Sequence, residues 1–170
     1  EEQEYREATV YKLLADYRKA NHLHFRIYQG FNQFEIHVQV AACAPQLDTI
    51  RTLLLLLKKE LNFPFRIGAG VSPSYERSRY FAEHALMEAD RYGRNDAFFM
   101  DEEDKITGPL SADNQLMYNY SNEKALAFAR ENGINETNIL KLISIFEQDE
   151  EQLISSHALS EKLGITMRSA

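Results

Sequence analysis

The chain has 170 residues, a formal net charge of −7, 44% hydrophobic residues and 26% charged ones. This is ordinary globular composition, enough for one or two small domains, and its acidity speaks against a surface that binds nucleic acid all over while leaving room for a short basic reading element. A single cysteine, Cys43, excludes an internal disulfide and fits a reducing cytosol, and neither a signal peptide nor a run of about 20 apolar residues points to export or to a membrane span.

Tyr5, Val10, Leu13, Leu14 and Tyr17 recur at helical spacing and predict an amphipathic helix over residues 2–20. Residues 22–28 are rich in strand formers, and residues 34–40 alternate strictly, with Phe34, Ile36, Val38 and Val40 on one face. Gly30 between them marks a hairpin. Pro45 opens a helix that runs through the leucines of 53–57 to Leu61, and that run reads as buried. A strand over 63–71 carries Gly68 and Gly70, which permit close backbone approach. Ser72 or Ser74 caps the next helix, which stops at Gly93, and residues 97–100 make a short last strand. Residues 104–120 hold Gly108-Pro109 and several polar side chains and read as a linker. Beyond it the pattern is helical. One helix covers 121–131, a second begins at Asn135 or Thr137 and reaches Phe146, and a third covers 157–163 behind Ser155 or Ser156.

Candidate chemistry is sparse. His22, His24 and His37 have no Cys or carboxylate cluster to complete a metal site, and Cys43 has no basic neighbour in sequence to activate it. Phe25, Tyr28, Phe31 and Phe34 could stack a purine, but core packing is the simpler use for them. Arg94 and Asn95 read as the end of a helix and the anchor of the last strand. No Ser-His-Asp constellation, P-loop or dinucleotide fingerprint is present.

Three blocks carry a resemblance. Gly30-Phe-Asn-Gln-Phe34 is similar to the GGDEF signature of diguanylate cyclases. Residues 65–71 are similar to that family's S-I-G-V strand, and residues 82–95 to its A-D-x-A-L-Y-x-A-K-x-x-G-R-N, with agreement at Ala82, Ala85, Leu86, Ala89, Gly93, Arg94 and Asn95. The resemblance implies an α+β, ferredoxin-like or nucleotide-cyclase-like sheet domain over residues 1–103. The family's first strand, central in such a sheet, has no counterpart in this sequence. It also implies a lost catalytic site. Asn32 and Gln33 stand at the acidic positions and are poor ligands for magnesium, and Phe31 fills the second glycine position. Asp90 replaces the phosphate-contacting lysine, and Asn21 and His24 occupy the positions of the product-binding R-x-x-D. Tyr28, Gly30, Phe31, Asn32 and Gln33 become candidates for binding an effector, with no metal and no cofactor.

Residues 156–170 resemble the winged helix-turn-helix of bacterial regulators, through Ala158, Leu159, Leu163, Gly164, Ile165 and Thr166. That resemblance makes residues 121–170 a helical, truncated DNA-binding region. Thr166, Met167, Arg168 and Ser169 would face DNA. The expectation is a cytoplasmic transcriptional regulator, dimeric, without a membrane partner, in which an inactive GGDEF-like domain senses a ligand or drives dimerisation. A divergent nucleotidyl cyclase or other nucleotide-binding enzyme is the alternative, and a purely structural interaction module is a third reading.

Overall fold

The computed structural model describes residues 1–39, 46–112, 115–148 and 155–163. The chain is mixed α+β and divides into two compact units, residues 1–63 and 64–170. Among the described residues no helix is long and apolar enough to cross a membrane.

The first unit holds α1 (Glu2–Ala20), an antiparallel hairpin of β1 (Phe25–Gly30) and β2 (Gln33–Val38), and α2 (Gln46–Glu60). The register pairs Phe25 with Val38, Ile27 with Ile36 and Gln29 with Phe34. The predicted alternation therefore gathers the apolar side chains of both strands on one face, with Arg26, Tyr28, Glu35 and His37 on the other. In α1 only Leu14 is fully buried, and Tyr5 is exposed, so the amphipathic pattern is weaker than its spacing suggests. The leucine run in α2 is not buried throughout either. Leu54 and Leu57 are inside, but Leu55 is 61% exposed, because consecutive helical residues point in different directions. Cys43 and Pro45 lie outside the described residues.

The second unit begins with a β-α-β crossover: β3 (Ile67–Gly70), α3 (Tyr75–Tyr92) and β4 (Ala97–Met100), with β3 and β4 parallel. The Ser74 side chain accepts from the Arg77 amide at the start of α3, and Gly93 closes the helix at φ +75°, a conformation that a Cβ opposes. Gly68 and Gly70 let α3 lie directly on β3. A Cβ on Gly68 would sit 2.3 Å from Ala82 O, and one on Gly70 2.4 Å from Ser78 O. Asn95 Oδ1 accepts from the Phe65 amide at 3.1 Å, so the residue read as a strand anchor ties the approach to β3 to the end of α3.

The stretch 104–120, expected as a linker, instead forms β5 (Lys105–Gly108) and β6 (Leu116–Asn119). These continue the sheet antiparallel in the order β3-β4-β5-β6. All four residues of β4 are buried, as in a strand covered on both faces. Then come α4 (Glu123–Glu131), α5 (Glu136–Gln148) and α6 (Ser156–Leu163). Asn122, Asn135 and Ser155 accept from amides of their first turns. The core is continuous across this unit: Phe81 and Ala85 of α3, Phe98 and Met100 of β4, Ile106 of β5, Tyr118 of β6, Ala125 of α4, Leu140 and Ile145 of α5, and Leu163 of α6. The helices after the sheet therefore fold with it.

A Gly70→Ala substitution drives a methyl into the α3 backbone, which cannot move as a side chain can. Urea unfolding should give a loss of about 3 kcal/mol, at the upper end for overpacking, and an unchanged midpoint would show that α3 and β3 are not in this contact.

Candidate functional site

The hairpin turn consists of Phe31 and Asn32, with Asn32 in the left-handed region at φ +55°. It is held from α1. Glu7 accepts from the Asn32 amide at 3.3 Å, from Gln29 Nε2 at 2.9 Å and from Gln3 Nε2 at 3.0 Å. The Gln3 hydrogen bond, then the Asn32 amide, hold the Glu7 carboxyl below the usual carboxylate range. The acceptor at this turn is therefore a carboxylate from another element, already engaged by amides of the chain. Of the predicted ligand-binding residues, Gly30, Phe31, Asn32 and Gln33 lie together at the exposed tip. Tyr28 stands on the polar face beside His37, with ring centroids 4.5 Å apart. Phe31 is 84% exposed and Tyr28 is 45% exposed, so the core role expected for the aromatic residues holds for Phe25 and fails for these two. Phe31, in a two-residue turn, projects past the strands, and Tyr28 lies on the polar face of the hairpin opposite Glu35.

The most unusual chemistry lies in the second unit. Glu88, on the inner face of α3, is 1% exposed. Its Oε2 accepts from the Tyr118 hydroxyl at 2.7 Å and lies 3.7 Å from Lys141 Nζ. Its Oε1 accepts from Arg91 Nη1 and, at 3.4 Å, from the Thr137 hydroxyl. One carboxylate thus gathers α3, β6 and α5. Burial pushes the Tyr118 hydroxyl far above its ordinary range, with the Glu88 charge adding to the effect, so Tyr118 stays protonated and donating. Burial lowers the Lys141 pKa, and Glu88 opposes that. These contacts tie the three elements together through one carboxylate.

The outer edge of this cluster opens into a groove of about 330 Å³. Arg91, Tyr120, Arg130, Asn135, Glu136 and Thr137 line it, with Leu126 and Leu140. Arg130 Nε donates to Glu136 at 2.6 Å across the α4–α5 turn. None of these groove residues stands out by sequence motif. Glu88 could have been noticed, since it shares the helical stripe of Phe81, Ala85, Ala89 and Tyr92, where a lone acid demands a buried partner.

Thr166, Met167, Arg168 and Ser169, the predicted DNA-facing residues, lie outside the described residues. Among those described, no group of three or more His, Cys, Asp or Glu is placed to hold a metal ion. Comparison with protein-family models, curated proteins and solved structures finds no match for this chain.

Removing Glu88 strands the buried Lys141 ammonium and the Tyr118 hydroxyl. Glu88→Ala should cost about 3–5 kcal/mol in chemical unfolding, and Tyr118→Phe about 2 kcal/mol, the worth of one charge-assisted hydrogen bond. Equal midpoints for wild type and Tyr118→Phe would contradict the geometry. At the hairpin, a folded pKa below the ordinary 4.5 for Glu7 means that its hold is complete above that value and is lost as pH falls through the lower one. Amide exchange at Asn32, corrected for intrinsic rates, should accelerate across that interval in wild type. It should be fast throughout in Glu7→Ala, and a flat wild-type profile would refute the clamp.

Proposed function

We propose that the protein is a transcriptional regulator in which a catalytically inactive GGDEF-like domain, of nucleotide-cyclase-like fold, senses a ligand or mediates dimerisation and a C-terminal winged helix-turn-helix binds DNA. The observation that carries this reading is the shared core. Leu159 and Leu163 of α6, the helix ahead of the expected turn, belong to the same cluster as α3, the sheet and α5. A change in how α3 and α5 meet is thereby felt by α6 through packed side chains. The hairpin supports the non-catalytic half of the reading. Its own acidic positions are amides, and the carboxylate that reaches it, Glu7, is occupied by three N–H donors. A magnesium ion would have to displace them.

The test is selection of duplex fragments from a random pool by the full-length protein. Sequence-selective retention is expected, weakening as salt rises and weakening further in Arg168→Ala, since a phosphate or base contact is lost. No retention at low salt would defeat the DNA-binding half. Cyclic dinucleotide formation from GTP with magnesium, above the background of Glu7→Ala, would defeat the other.

A further inference from the structure

Arg91 and Arg130 line the same groove, and neither guanidinium is used up. Arg91 reaches Glu88 and Thr137 through Nη1, and among the described residues its Nε and Nη2 have no partner. Arg130 is held to Glu136 through Nε, and among the described residues both its Nη atoms are without one. Charge is also unbalanced. Arg91 and Lys141 share Glu88, and Arg130 takes Glu136, so three cations face two carboxylates. The buried carboxylate cannot relax this excess, since Tyr118 and Thr137 take up its remaining acceptor positions. Leu126 and Leu140 give the same groove apolar wall. A volume of about 330 Å³ falls in the size range of sites for small organic ligands. Planar guanidinium edges with spare parallel donors match the oxygens of a phosphate or a carboxylate better than any neutral group.

We propose that this groove binds a small organic anion, presenting a phosphate or carboxylate group to Arg91 and Arg130 and its carbon skeleton to Leu126 and Leu140. The anion meets the spare Nε and Nη2 edge of Arg91, whose Nη1 stays on Glu88 and Thr137, so occupancy bears on the contact between α3 and α5. As the effector site of a regulator the groove rests on the reading given above. As a binding site it stands on its own geometry, and direct titration tests it without DNA.

The experiment is an NMR titration of the full ¹⁵N-labelled chain with inorganic phosphate and, separately, succinate, at ionic strength held constant with sodium chloride. Saturable shifts are expected at the Arg91 and Arg130 Nε signals and at the Thr137 amide. Tighter binding of phosphate assigns a phosphomonoester, and tighter binding of succinate a carboxylate. Arg130→Gln should weaken the preferred anion about tenfold, the loss of one charge-assisted contact. Arg91→Lys keeps a cation for Glu88, so the fold survives, yet it lacks the second edge and should weaken binding similarly. Arg51→Gln, on α2, should leave the affinity unchanged. Linear, unsaturated shifts with both anions, or equal affinity in wild type and Arg130→Gln, would overturn the proposal whatever the DNA selection gives.

Discussion

The second unit depends on one buried negative charge. Glu88 sits where an apolar residue would serve packing equally well, and its desolvation is tolerable only because Tyr118, Thr137, Arg91 and Lys141 converge on it. The convergence fixes geometry. α3 can lie on the sheet in many ways that bury Phe81 and Ala85, but in few that deliver a carboxylate to a hydroxyl on β6 and an ammonium on α5. An apolar core is permissive about register, and a polar cluster inside it is not.

A related device operates in the first unit. Glu7 takes hydrogen bonds from the hairpin turn and from its own helix, so α1 and the β1–β2 tip are joined by a carboxylate in solvent. The contrast is one of consequence. The Glu7 hold is screened by water, whereas the Glu88 carboxylate is itself buried. In each unit an acidic residue ties a helix to strands, and the one in the second has a groove beside it.

Legibility in the sequence follows the range of the interaction. α3 announces itself through Ser74, its stripe and Gly93, all local signals that the fold uses as read. The β1–β2 hairpin is legible for the same reason. β5 and β6 are not, because each is four residues long and Gly108-Pro109 speaks for a turn. What makes them strands is the free edge of β4, which lies outside their own sequence. The groove was invisible for a stronger reason. Glu88 meets Tyr118 across 30 residues, and Arg91 meets Thr137 across 46, and no spacing rule relates them. The hairpin candidates Gly30, Phe31, Asn32 and Gln33 do sit together, since adjacency in a turn guarantees it.

If the helices after the sheet are one folding unit with it, they must open together. Native-state hydrogen exchange measures this residue by residue. The slowest amides of β4, α3 and α5 should share one opening free energy and fall together in added denaturant. Amides of α5 that exchange at far lower free energy than those of β4 would mean a separable helical appendage, and would contradict the claim that Glu88 binds sheet and helices into one body.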